Sequence, residues 1–140
     1  MRARHALLAA LLLGAALPAG AGGFTVVVHP DNPAAEVTAA QLSRLFLKKT
    51  LRWDDGTAVQ PVEPATPGLR ERFARTVHQK SVNAVRSYWN QLIFSGRDEP
   101  PLEKAGDAEV LAYVRANRGA IGYVSPGAGT AGVKVLDVTR

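Results

Sequence analysis

Thr66, Gly68 and Arg70 stand two residues apart where a strand-like segment gives way to a helical pattern. The stretch from Val59 to Val77 opens with the short apolar segment Val59–Val62. It breaks at Pro64, Thr66, Pro67 and Gly68, then resumes with apolar residues at Leu69, Phe73 and Val77. A spacing of four puts those three on one helix face. Thr66 is placed to cap that helix, and Pro67 falls at a first-turn position where a missing N–H costs nothing. The first-turn amides have no partner inside the helix and carry partial positive charge. Arg70, one turn beyond Thr66 on the same face, adds a planar fork that can donate two bonds to an oxyanion. Asn32, in a turn further back, offers a side-chain amide from across the sheet edge. The candidate ligand residues are therefore Thr66, Gly68, Arg70 and Asn32, and the chemistry is reversible capture of a small oxyanion. The same residues also read as a capped amphipathic helix with its arginines in water.

Other chemistries find little support. The 140 residues contain no cysteine, so thiol catalysis and lipoprotein-type lipidation are both excluded. No serine sits in a GxSxG elbow, and neither a P-loop nor a dinucleotide fingerprint occurs. His5, His29 and His78 lack metal-ligand spacing. Asp54 and Asp55 precede Gly56 and read as a turn. An enzyme is the weakest of three classes, behind a binding module and an interaction protein, and no cofactor is expected.

Arg2, Arg4 and His5 make a basic head, Ala6–Leu17 is an apolar run short for a bilayer span, and Ala19-Gly20-Ala21 suits a signal peptidase. Residues 1–21 therefore read as a cleaved signal peptide and 22–140 as one domain. The expected location is the periplasm, with no membrane span after cleavage. The signal takes two of the 17 Lys and Arg, leaving 15 against 12 Asp and Glu. So mild an excess slightly favours anionic ligands. With no arginine-rich run and no aromatics interleaved among basic residues, it does not argue for nucleic acid.

The elements that must position these residues follow in order. Phe24–Val28 is an unbroken apolar run, expected as a strand buried on both faces and stopped by His29-Pro30-Asp31-Asn32-Pro33. Thr38 and Gln41 make a capping box for a helix with Leu42, Leu45 and Phe46 inward. Trp53 reads as a packing anchor. Ser81 caps a helix with Val82, Val85, Trp89, Leu92 and Ile93 on one stripe, ended by Ser95-Gly96. Residues 97–106 read as a surface loop, Asp107 as the cap of a shorter helix closed by Asn117 and Gly119, and Ala120–Val124 as a strand. Gly122 in that strand suggests close approach of another backbone. A connector and a last strand marked by Val133, Val135 and Val138 end the chain. Alternation of strands and helices makes the class α/β, with about four or five strands, mostly parallel, and helices on both faces.

Three segments together resemble one family. Gln41-Leu42-Ser43-Arg44-Leu45-Phe46-Leu47-Lys48-Lys49, running to Trp53-Asp54-Asp55-Gly56, is similar to the helix-to-tryptophan segment of periplasmic phosphate-binding proteins, the solute receptors of phosphate ABC importers. Pro61-Val62 leading to Leu69 and Phe73 looks like their strand-turn-helix, and Gly119-Ala120-Ile121-Gly122-Tyr123-Val124 like their late strand. The resemblance covers about Val26 to Val124. It implies a single-lobe form of the class II solute-binding fold, with inorganic phosphate or a similar oxyanion as ligand and an importer permease or another envelope protein as partner. The family's turn carries an arginine and then a Ser-Gly-Thr-like sequence. Here Gly68 is kept, Thr66 supplies a nearby hydroxyl, Pro67 and Leu69 stand at the serine and threonine positions, and Glu63 adds a negative charge. The alternative is a lobe that has lost its ligand and uses its open face to contact a partner protein or another copy of itself.

Overall fold

The computed structural model describes residues 23–140, so the expected signal peptide lies outside the described residues. Six strands form one sheet: β1 (Thr25–Val28), β2 (Glu36–Thr38), β3 (Gln60–Pro64), β4 (Leu102–Lys104), β5 (Ala120–Val124) and β6 (Lys134–Thr139). Their spatial order is β2-β6-β1-β5-β3-β4. The pairs β2–β6, β3–β5 and β3–β4 are parallel, whereas β1 runs antiparallel to both β5 and β6. The sheet is therefore mixed and has one or two more strands than the sequence suggested. An apolar run buried on both faces marks an inner strand but says nothing of its neighbours' direction, because either ladder satisfies the backbone.

The period of two in β1 and β5 divides the core. Val26, Val28, Ile121 and Tyr123 face α1 (Ala39–Phe46) and α2 (Pro67–Phe73). Val27, Ala120 and Val124 face the opposite way, onto Val110, Leu111 and Val114 of α4 (Asp107–Ala116). On the first side Phe73 stacks on Tyr123 at a centroid distance of 3.9 Å, with Phe24 and Phe46 edge-on around the pair. Helices thus cover both faces of an α/β sheet.

Local chemistry places the helices. The capping box at Thr38 forms in full, with Gln41 N–H donating to Thr38 Oγ1 at 3.1 Å and Thr38 N–H to Gln41 Oε1 at 3.0 Å. Ser81 Oγ accepts from Ala84 N–H at the start of α3 (Val82–Phe94). After Phe73 the chain continues as a π-helical turn, Ala74–His78, closed by Gln79 at φ 54°. This keeps Val77 on the buried side with Leu69 and Phe73. Trp53 is half-buried against the core and donates its indole N–H to Gly119 O at 2.9 Å.

Three expectations change. The segment 97–106 contains β4, paired with Val62–Pro64 of β3, and is not wholly loop. Gly106 is the N-cap of α4, while Asp107 is its first residue and accepts from Ser125 N–H at 3.0 Å. The expected backbone approach at Gly122 is present, since a Cβ there would lie 3.3 Å from Val62 O as well as against the Val110 and Val62 side chains, and Gly119 is tighter still, with a Cβ 1.9 Å from Ala58 O. Finally, α3 docks only in part: Trp89 is buried, Val82, Val85 and Leu92 half-buried, and Ile93 exposed.

The prolines of β3 fit because the ladder needs no donor where they stand. Gln60 N–H turns to Gly119 O on the β5 side, so Pro61 turns to the β4 side, one residue before that ladder begins at Val62. Pro64 turns back to the β5 side, beyond the last paired residue, Val62.

Candidate functional site

The chain leaves β3 at Pro64 and enters α2 at Pro67, so Thr66 and Gly68 lie exposed at one end of the sheet. Thr66 is the N-cap by backbone, and its carbonyl accepts from Arg70 N–H at 3.1 Å. Its side chain makes no capping bond. The first-turn amides of Gly68 and Leu69 are therefore left without a cap.

Arg70 does not point into open solvent. Its Nη2 donates to Glu63 Oε2 at 3.3 Å and its Nη1 to Glu103 Oε2 at 3.0 Å. β3 and β4 lie side by side with Glu63 opposite Glu103, so both carboxylates reach the same guanidinium. Burial pushes the Glu63 carboxyl up to about 7; Arg70 pulls it down and Glu103 adds a smaller upward push. Tyr123, below them, has its phenol pushed up chiefly by burial and then by the charge of Glu63.

Asn32 lies at the other end of the sheet. It follows the end of β1, where Val28 pairs with Ile121 near the start of β3. The structure brings Thr66, Gly68 and Arg70 together and leaves Asn32 apart from them. Asn32 is 3% exposed; its Oδ1 accepts from Ala34 N–H at 2.9 Å and its carbonyl from Lys134 Nζ. These bonds make it a turn-builder, with Nδ2 the one side-chain atom there without a partner.

Two openings border Arg70. A depression of about 390 Å3 runs from Pro67 along Arg75, Ser81, Asn83 and Arg86. A cavity of about 440 Å3 lies on the other side, between Glu63, Tyr123 and His78 on its floor and Trp89, Ile93 and Pro101 on its wall. Arg70, Val82 and Arg86 line both. His78 Nδ1 is 2.7 Å from Ser43 Oγ. Burial lowers that imidazole to about 4, helped by the charges of Lys80 and Lys49, so it is neutral at pH 7. Sequence reasoning missed Arg86, Glu103 and His78 as members of this site. Arg86 carried a signal, since it shares the α3 face of Val82 and Trp89 at helical spacing. Glu103 carried none, because it arrives by strand pairing.

Solved structures resemble this one. A Clostridium perfringens protein solved with phosphate bound superposes with a TM-score of 0.62 at 20% identity, over 83% of this chain and 44% of its own. An ABC-type phosphate transport receptor from Vibrio cholerae gives 0.57 at 16% identity, over 83% and 46%. PstS from Borrelia burgdorferi gives 0.55 at 12% identity, over 84% and 48%. At such identities the likeness shows the fold, and the chain spans less than half the length of each of these structures. No curated protein matches the chain. The PBP superfamily domain, however, matches residues 14–135, which is most of the chain, and the protein belongs to that family.

Proposed function

We propose that the protein is an exported solute-binding lobe that takes phosphate or a similar small oxyanion weakly at the start of α2. One observation carries the reading: the uncapped amides of Gly68 and Leu69 open beside a depression lined by Arg70, Arg75 and Arg86, of which Arg75 is paired with Glu71 on the same lining. The C. perfringens protein with bound phosphate lends the ligand by analogy. Export rests on the basic head, apolar run and Ala19-Gly20-Ala21 of the sequence. An importer permease or another envelope protein is the partner this role implies. No cofactor or catalytic step is part of this role.

Among the described residues nothing closes over the opening, so water screens each contact. Glu63 and Glu103 also compete for Arg70. The expected dissociation constant is on the order of 0.1–1 mM, or roughly −4 to −5.5 kcal/mol. An NMR titration with phosphate at low salt tests it. The amides of Gly68, Leu69 and Arg70 should move together and saturate by about 10 mM; if they stay still there, the site does not exist.

A second reading, contact with a partner protein or another copy, is favoured by Ile93, Phe94 and Leu102, which are 49%, 91% and 45% exposed. Sedimentation that shows self-association, abolished by Phe94→Ser with phosphate binding absent, would make it the better one.

A further inference from the structure

The cavity beside Arg70 is larger and more apolar on one wall than a bare phosphate needs. At about 440 Å3 it has room for roughly ten to fifteen waters, and it falls in the size range of small-molecule pockets, ~300–1,000 Å3. One face of α3 supplies that wall through Val82, Val85, Trp89 and Ile93, and Pro100 and Pro101 extend it. Inorganic phosphate has no apolar surface to set against these groups.

The charges at the junction of the two openings are unequal. Arg70 is shared between two carboxylates, whereas Arg86 makes no ion pair among the described residues. An anionic head is repelled by Glu63 and Glu103 and drawn to Arg86. Arg86 sits on α3 three residues before Trp89, so a group held on it lies one helical turn from the indole. Neutral His78 on the cavity floor brings no charge to oppose an apolar body.

Resting on the oxyanion reading above, we propose that the preferred ligand is an organic oxyanion. Its tetrahedral phosphonate, phosphate-ester or sulfonate head sits on Arg86 beside the start of α2, and its aryl or branched alkyl group fills the cavity against Trp89 and Ile93.

The test titrates the full mature chain with phenylphosphonate, methylphosphonate, inorganic phosphate and benzyl alcohol, following backbone amides and the Trp89 indole N–H by NMR. Phenylphosphonate should bind at least tenfold more tightly than methylphosphonate and move the Gly68–Arg70 amides and the Trp89 indole with one affinity. Arg86→Ala should weaken phenylphosphonate about tenfold, consistent with loss of one charge-assisted bond. Ile93→Ser, at an exposed position where folding is safe, should reduce the preference for phenyl over methyl. Equal affinity for phenylphosphonate, methylphosphonate and phosphate overturns the proposal and leaves the oxyanion reading standing. Failure of every anion to bind removes both. Benzyl alcohol binding as tightly as phenylphosphonate also overturns the proposal, since the head would then contribute nothing.

Discussion

The guanidinium of Arg70 meets the carboxylate of Glu63 at 3.3 Å, seven residues back along the chain and across the turn that separates β3 from α2. The cation of the proposed anion site is thus already held by an internal acid that is mostly out of water. Such a pair does not simply add stability, because removing a carboxylate from water opposes its attraction to the guanidinium. Here the balance leaves Glu63 titrating near 7.

Anion affinity should therefore depend on pH through Glu63. Above about 7 its carboxylate is ionised and competes for Arg70; below that value it is protonated and releases one edge of the fork. Sulfate is the suitable probe, because its own charge does not change there. Its affinity should rise as pH falls from 8 to 6. Glu63→Gln should bind sulfate about tenfold more tightly at pH 8, the worth of one freed charge-assisted bond, and lose the pH dependence. A wild-type affinity that stays constant from pH 8 to 6 would show that Glu63 does not contest the ligand.

Stability should respond to Glu63 and His78 with opposite signs. Glu63 rises from an ordinary 4.5 to about 7 on folding, so its contribution is fully present below 4.5 and lost as pH climbs through 7. His78 falls from 6.5 to about 4, so its contribution is present above 6.5 and lost as pH drops through 4. Between pH 4.5 and 6.5 the two slopes oppose each other. Urea melts of Glu63→Gln should show stability falling as the solution is acidified across that window. His78→Asn should show it rising, each by roughly 1–2 kcal/mol more than wild type. Two variants that both parallel the wild-type curve would contradict the assignment.

Gly119 should tolerate no side chain. A Cβ there would stand 1.9 Å from the Ala58 carbonyl, and that backbone is pinned by the Gln60 N–H bond to Gly119 O. The same carbonyl receives the Trp53 indole at 2.9 Å, so movement there also strains the anchor. Gly119→Ala should cost about 1–3 kcal/mol or more in chemical denaturation. Gly56→Ala, where a Cβ meets nothing but φ is +88°, separates backbone strain from collision. A loss at Gly119 no larger than at Gly56 would count against the clash.

Much of this structure could be read along the chain because the forces involved are local. The Thr38–Gln41 capping box, the Ser81 cap and the buried face of Leu69, Phe73 and Val77 each depend on residues within a few positions of one another, and each formed as the spacing required. Phe24–Val28 carried its own signature of burial on both faces. The α/β class and the solute-binding resemblance followed from such segments in order.

What the chain by itself did not reveal depends on pairing across distance. β2 and β4 are three residues each and have no periodicity to betray them; they exist because β6 and β3 offer an edge. That pairing carries Glu103 to Arg70 across 33 positions and turns an apparently free arginine into a shared one. Register likewise sends Asn32 to the far end of the sheet, although its composition suited a ligand group as well as a turn. The amino-acid sequence by itself determined most of which residues are helical and which face is buried, since side-chain size, charge and caps act over a turn or two. Only the tertiary structure decided which of them meet, because strand order and register are set by the packing of the whole sheet against its helices.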